Sequence, residues 1–273
     1  MSGGQVVAFL SGGVGSWAAT RRYIDTHGPD GVVCLFTDVG DGSPFVGEDV
    51  DTYRFLADAV ANLGVELIYL RDGRNIWDVF EAKQWLGNSG LSHCSWELKT
   101  KPALAWVEAH RDPATTTLLV GIDWMEGDRR LPAIVRNWAP YSVVAPLTER
   151  PYLGHAQVRK MLADNGLRGP RLTEQLGMAH ANCIACVKGG QGHWKQVLDL
   201  FPDHYAYAEA REQDFRDGHG DVSILKDRTG GVATPLTLRA FREREQAGGQ
   251  QLDLLDLGGC GCFVDNEPEQ VAS

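Results

Sequence analysis

The chain is 273 residues long, 43% hydrophobic and 23% charged, with a formal net charge of −10. That length buries one substantial core with a smaller appended region, and the composition is ordinary for a globular protein, which excludes wholesale disorder and fibrous repeats. The acidic total excludes a general cationic coat for nucleic acid, though a local basic groove can survive inside it.

No apolar run reaches the roughly eighteen residues of a membrane span, and no basic segment followed by an apolar signal core opens the chain, so a cytoplasmic protein without membrane contact is expected. In chain order, Val6 to Leu10 is an apolar run that reads as a strand. It leads into Ser11-Gly12-Gly13-Val14-Gly15-Ser16 and then into a helical pattern from Trp17 to Thr26. Two adjacent glycines let the backbone turn and aim main-chain N–H groups at an anion, and Ser16 adds a hydroxyl at the first helical turn. Phosphate is the natural occupant, although the spacing is neither the Walker type nor G-x-G-x-x-G.

Gly31 to Phe36 suits a buried parallel strand, and Asp38 follows at its carboxyl end, where an open α/β sheet places its ligand crevice. Asp38 is therefore a candidate for nucleotide or metal contact, or else a loop aspartate capping the next turn. A helix from Glu48 to Leu63 and a strand from Val65 to Leu70 complete a β-α-β-α-β alternation, which predicts a parallel sheet with right-handed crossovers. Ile76 to Trp85 reads as a helix; Cys94 follows a loop, and a further helix starts near Trp96 with Lys99 and Lys101 in its first turn. Thr117 to Ile122 is a fourth strand, and a charged segment from Asp123 to Arg130 lies at its end. There Glu126 is placed to bind a ribose hydroxyl or magnesium, and Arg129 or Arg130 to hold a phosphate; an exposed salt-bridged turn is the plainer alternative. Tyr141 to Val144 makes a fifth strand.

The expectation is an α/β fold: a doubly wound, mostly parallel five-stranded sheet over residues 1–150, a smaller helical, cysteine-bearing region over 151–264, and a polar tail over 265–273. In the second region helices are expected at Gln157–Asn165, Arg171–Leu176, Trp194–Leu200, Asp203–Phe215 and Leu236–Gln246, with a short strand at Val222–Leu225. A local basic excess runs from Arg129, Arg130 and Arg136 through Arg150, Arg159 and Lys160 to Arg168 and Arg171. It is either a groove around the site or a set of solvated helix faces. The chain has six cysteines, which without a secretory signal read as thiols, metal ligands or redox groups. Cys183-Ile-Ala-Cys186 with Lys188, Gly189 and Gly190 behind it is a knuckle suited to presenting two sulfurs to one metal centre, and Gly258 to Phe263 carries Cys260 and Cys262. Cys34, inside a strand, reads as core.

Taken together, these residues resemble the phosphoadenosine-phosphosulfate-reductase-like branch of the PP-loop superfamily, over roughly residues 6–186. Ser11 to Ser16 looks like its pyrophosphate loop, and Leu35 to Gly40 like the strand that ends in Asp-Thr-Gly. Cys94, Lys99 and Pro102 are similar to a pattern that adenylylsulfate reductases and DNA phosphorothioation enzymes set beside an iron–sulfur cluster. Gly121, Glu126 and Arg129 resemble the Gly…Glu…Arg segment of the branch, and Pro146-Leu147 and the run from Asn165 through His180, Asn182, Cys183 and Cys186 resemble its substrate-side half.

Two features depart from the phosphosulfate reductases: the first loop keeps both serines and both glycines, and Gly-Gly-Cys-Gly-Cys stands where they carry Glu-Cys-Gly-x-His. An intact loop implies bound pyrophosphate, hence ATP with Mg2+ on Ser11, Gly12, Gly13, Gly15, Ser16, Asp38 and Glu126. The resemblance implies an enzyme that adenylates a nucleic-acid or nucleoside acceptor, releases pyrophosphate and lets sulfur displace AMP, with Lys99 or Arg129 stabilising phosphate charge. A sulfur donor such as a cysteine desulfurase is the implied partner. It also favours a [4Fe–4S] cluster on Cys94, Cys183, Cys186 and Cys260, leaving Cys262 free to carry sulfur, with Cys260 and Cys262 exchangeable in these roles. A zinc site on Cys183, Cys186, Cys260 and Cys262 is the alternative. The competing functions are a reductase that releases sulfite from adenylylsulfate or its 3′-phosphate, and a non-catalytic nucleotide sensor.

Overall fold

The structure, a computed structural model, describes residues 4–88, 91–180, 183–228 and 232–248. Five strands form one parallel sheet in the order β3-β2-β1-β4-β5: β1 Gln5–Phe9, β2 Val32–Asp38, β3 Glu66–Arg71, β4 Thr116–Leu119 and β5 Ser142–Val144. Helices α1 (Val14–His27), α2 (Val50–Leu63) and α3 (Ile76–Lys83) follow the first three strands. The short turn α4 (His93–Ser95) runs into a π-helical turn, Trp96–Thr100, and then into α5 (Lys101–His110). Helix α6 (Trp124–Asn137) lies between β4 and β5. After β5 come a 3-10 turn, Pro146–Thr148, and helices α7 (His155–Asp164), α8 (Arg171–Glu174), α9 (Gln191–Leu200) and α10 (Pro202–His219). A hairpin of β6 (Leu225–Asp227) and β7 (Thr234–Leu236) and helix α11 (Leu238–Gln246) close the described chain.

The apolar run of β1 is explained by burial on both faces, as a central parallel strand requires. Val6, Ala8 and Leu10 pack with Trp17, Ala18 and Leu56 under α1 and α2. Val7 and Phe9 face Ala103 and Val107 from α5, Ile134 from α6 and Trp138 just after it. Cys34 lies in the first of these layers with no exposure, and burial pushes its thiol up to about 12, so it is core. β1 pairs with β2 on one side and β4 on the other. The chain thus reverses direction across β1, and the crevice at the carboxyl ends of β1 and β4 is the topological switch point.

A third core lies beneath the C-terminal region: Trp77, Phe80 and Leu98 pack with Leu172, Ile184, Trp194, Tyr205, Phe215 and Phe241. Helices α8 to α11 therefore close over α3 and the π turn, whereas α7 packs through Leu162 on the α1 side of the sheet.

Besides the π turn at Trp96–Thr100, where an ordinary helix was expected, two segments differ from the sequence reading. Asp123 to Arg130, read as a charged ligand-facing segment or an exposed turn with no helix assigned, begins the fourteen-residue α6, whose first N–H groups at Met125 and Glu126 are accepted by the Asp123 side chain. Gly127 and Pro132 hide this helix in the sequence, but burial of Ile134 and Trp138 against the sheet outweighs them. The strand expected at Val222–Leu225 begins at Leu225 and pairs with an unexpected partner, Thr234–Leu236. Thr237 then caps Ala240 N, which starts the last helix at Leu238 rather than Leu236.

Candidate functional site

The glycine loop joins β1 to α1. Gly12 has φ +75°, and a Cβ there would lie 2.4 Å from Thr52 Cγ2, so glycine is required twice over. Ser16 Oγ accepts from Ser11 N at 3.1 Å and donates to Gly13 O at 2.9 Å, which folds the loop back on the first turn of α1. Gly13 caps α1 without a side-chain hydrogen bond, leaving the helix N–H groups to face the crevice. From the next strand Gly121 comes so close that a Cβ would sit 2.5 Å from Ser16 Cα.

Ser11, Gly13, Gly15 and Ser16 form one wall of a cavity of about 430 Å³. Gly121, Trp124 and Glu126 contribute from the end of β4, and His155, Arg159 and His180 from the C-terminal half. Arg159, noticed in the sequence only as part of a basic run, thus stands on this wall, with its guanidinium 3.1 Å from Glu174. Glu126 accepts from Arg130 at 2.7 Å and from Arg129 at 3.3 Å. Arg129 is largely exposed and does not line the cavity.

Asp38 sits at the carboxyl end of β2, as the pattern implies, but its fully buried carboxylate is spoken for within the protein. It accepts from Gly40 N at 2.9 Å, Tyr53 OH at 2.8 Å, Tyr69 OH at 2.5 Å and Arg71 Nη2 at 2.5 Å. Burial works to raise this carboxyl, and the hydrogen bonds from Tyr69, Gly40, Arg71 and Tyr53 outweigh it and hold the group below the usual carboxylate range.

Lys99 lies on the π turn, not in the first turn of an ordinary helix, and is buried with its Nζ 3.1 Å from Glu48 Oε1. It is not on the wall of the loop cavity; its neighbourhood is that of the cysteines. Cys94 Sγ is 2.7 Å from Ser92 Oγ. Burial pushes the Cys94 thiol up, with Ser92, Lys188 and Lys99 opposing. Cys183 is pushed well up by burial first and then by Glu48, and it feels Lys99, Cys186 and Cys94 as well. Three thiols from two distant segments therefore share one electrostatic neighbourhood.

The Cys183–Cys186 turn is braced from behind. Gly189 N donates to Cys186 O at 2.9 Å, and His193 Nε2 donates to Ile184 O at 2.9 Å. Burial lowers His193 to about 4, which keeps the ring neutral. Gly189 has no room for a Cβ, which would meet the His193 ring at 2.3 Å. Among the described residues no three of His, Cys, Asp and Glu are arranged to share a single metal ion. The ligands of a cluster bond different irons, and three partly buried thiols beside a lysine have the donor chemistry it needs. Cys260 and Cys262 lie outside the described residues, as do the fourth ligand of the cluster and half of the zinc alternative.

The basic excess is mostly internal. Arg129 and Arg130 pair with Glu126, Arg159 with Glu174, Lys160 with Asp164, Arg168 with Asp51 and Arg171 with Asp49. Among the described residues no helix is long and apolar enough to cross a membrane.

Neither a protein-family model nor a curated relative matches the chain. Among solved structures it is similar to the phosphoadenylyl-sulfate (PAPS) reductase from Candida auris in its phosphate complex, with 16% identity, 66% of this chain and 81% of that chain covered, and a TM-score of 0.46. It is also similar to the U34-tRNA thiolase NcsA from Methanococcus maripaludis with its [4Fe-4S] cluster, with 12% identity, 80% of this chain and 72% of that chain covered, and a TM-score of 0.43. Both are members of the PP-loop superfamily, and the likeness is one of fold.

Proposed function

We propose that this chain is an ATP-dependent sulfur-transfer enzyme that adenylates an oxygen of a nucleic-acid or nucleoside acceptor. The observation that carries the reading is the loop from Ser11 to Ser16, intact and folded on itself at the switch point of the sheet, opening on a cavity whose far wall comes from the cysteine-bearing half. A reductase acting on a ready-made sulfonucleotide has no pyrophosphate to hold, whereas an adenylating enzyme must hold one as it leaves.

In this reading the loop N–H groups and Ser16 cradle the β- and γ-phosphates, and Glu126 carries Mg2+ or the ribose. Arg159 on the wall offsets the charge that grows on the leaving group, and Arg129, outside the cavity, acts on it only through its pair with Glu126. The acceptor oxygen forms a bond to the α-phosphorus as the bond to pyrophosphate breaks; sulfur then bonds to the activated carbon as the carbon–oxygen bond to AMP breaks. Asp38 acts indirectly, fixing the end of β2 through Tyr53, Tyr69 and Arg71. Lys99 supplies positive charge beside the thiols. A [4Fe–4S] cluster held by Cys94, Cys183 and Cys186 with Cys260 would supply a sulfur-binding iron site there, and Cys262 would be the sulfur-carrying thiol.

The test is nucleotide choice. Anaerobically purified full-length protein is titrated calorimetrically with a non-hydrolysable ATP analogue plus Mg2+, and in parallel with adenylylsulfate and its 3′-phosphate, while pyrophosphate and sulfite release are followed with ATP and the sulfonucleotides. Preference for the ATP analogue together with pyrophosphate release is the expected result. Preference for a sulfonucleotide with sulfite release overturns the reading in favour of a reductase, and tight nucleotide binding without turnover makes the chain a sensor.

A further inference from the structure

The rim of the cavity carries an aromatic surface that the fold does not use. Trp124 is the first residue of α6, directly after its cap Asp123, and lines the cavity. Its ring stacks on that of Tyr152 with centroids 5.2 Å apart and planes 21° from parallel. The guanidinium of Arg150 lies 5.3 Å from the centroid of Tyr152. Neither ring belongs to a core cluster: Trp124 is 42% and Tyr152 47% exposed, and the adjoining Met125 is 70% exposed. Of the basic residues between Arg129 and Arg171 in the run described above, only Arg136 and Arg150 have no carboxylate partner among the described residues.

We propose that Trp124 and Tyr152 form a shelf on which an unpaired base of a single-stranded nucleic acid stacks, with Arg150 meeting the adjoining phosphate. The proposal rests on the adenylation reading and deepens it by choosing a polymer as the acceptor. A stacked indole and phenol left open to water beside a guanidinium that has no carboxylate partner is the combination that binds a base and its phosphate together. Trp124, the inner edge of the shelf, lines the cavity where the phosphate loop lies, so a base stacked against it is delivered towards the site of activation. Its openness argues for a polymer: a shelf half exposed to solvent admits a base whose neighbours continue outward. In a chain with a net charge of −10, affinity for a polyanion has to come from stacking and a few local cations rather than from a general field.

Binding of short, labelled single-stranded DNA and RNA to the full-length protein, read by fluorescence anisotropy over a range of salt, tests this. Trp124→Ala and Tyr152→Ala are each expected to weaken oligonucleotide binding about tenfold or more, the scale of one lost base stack. Trp124→Phe should recover most of that loss, and Arg150→Gln should reduce the slope of log affinity against log salt by about 1. Tyr152→Ala should leave affinity for the ATP analogue unchanged, and the exposure of both rings means that thermal stability should hold in each variant. Three results overturn the shelf. The first is unchanged oligonucleotide affinity in both alanine variants. The second is a parallel loss of ATP-analogue affinity in Tyr152→Ala, which assigns the shelf to the adenine of the nucleotide. The third is a wild-type protein that binds the ATP analogue but no oligonucleotide, which leaves adenylation standing with a free nucleoside as acceptor. Failure of the wild type to bind the ATP analogue strikes the adenylation reading instead, and the oligonucleotide measurements still judge the shelf.

Discussion

Ser16 shows how much of the candidate site depends on small side chains. Its hydroxyl both accepts from Ser11 N and donates to Gly13 O, so removing it loosens the loop without opening a cavity of any size. Ser16→Ala should weaken binding of the ATP analogue by roughly tenfold, the worth of one or two net hydrogen bonds, while the iron content of anaerobically prepared protein stays at the wild-type level. Calorimetry and iron analysis on the same sample check both halves. Gly121 should matter more. A Cβ placed 2.5 Å from Ser16 Cα and 2.8 Å from Ser16 N meets backbone on a helix that cannot yield without moving the loop. Gly121→Ala should therefore cost about 1–3 kcal/mol in denaturant unfolding, in the range of overpacking, and should reduce nucleotide affinity further than Ser16→Ala does. An unchanged unfolding midpoint and affinity would mean that the close approach of strand and loop is dispensable. The two positions also divide what the sequence could tell. The serine and glycines of the first loop are legible because their pattern is local, whereas the contact of Gly121 with that loop depends on β4 lying beside β1 and has no local signature.

Among the elements, the run from α4 through the π turn to α5 decides where the chemistry-bearing residues of the middle of the chain point. Its buried Glu97 is held by Lys83 at 2.7 Å, Arg74 at 3.3 Å and Lys101 at 3.5 Å. Burial works to raise that carboxyl, and the surrounding cations outweigh it and keep it low. The wider winding places Lys99 beside Glu48 and the thiols, a position that a 3.6-residue periodicity cannot reveal. The fourteen residues of α6 were hidden for a related reason: Gly127 and Pro132 contradict the local pattern, and only packing against the sheet resolves the conflict. By contrast a turn at Cys183–Cys186 was legible from spacing alone, while its brace, His193 against Ile184 O and under Gly189, was not. Bringing that knuckle to Cys94 is the joint work of α4 and the turn ahead of α9. Cys94→Ala and Cys186→Ala should therefore each lose iron on anaerobic reconstitution while retaining ATP-analogue affinity within about twofold, because neither thiol lines the loop cavity. Full iron content in both variants would rule out the cluster assignment.

For the molecule as a whole, the β-α alternation was enough to read five parallel strands, because βαβ units leave little topological freedom. The packing from α8 onward was not readable, since its core borrows Trp77, Phe80 and Leu98 from earlier elements. One buried carboxylate helps tie that late packing together. Glu212 on α10 is 1% exposed and accepts from Ile224 N at 2.8 Å, just before β6, and from Leu238 N at 2.6 Å, at the start of α11. Burial raises its carboxyl to about 7 against the two hydrogen bonds, from an ordinary value of 4.5. Its folded-state pKa thus lies above its unfolded one, so the folded chain holds a proton that the unfolded chain has lost between these values. The resulting stability is fully present below about pH 4.5 and is lost as pH rises through about 7, a change of about 3 kcal/mol from this group. Glu212→Gln keeps the size of the side chain and removes the titration, and other groups cancel in the difference between the two proteins. Urea unfolding of wild type and Glu212→Gln at pH 5 and pH 8 should show the gap between them moving against wild type by about that amount as pH rises. A gap that stays constant would mean that Glu212 keeps one charge state throughout. The two backbone donors would then outweigh burial, and the hairpin and α11 would be held on α10 by a permanently charged carboxylate.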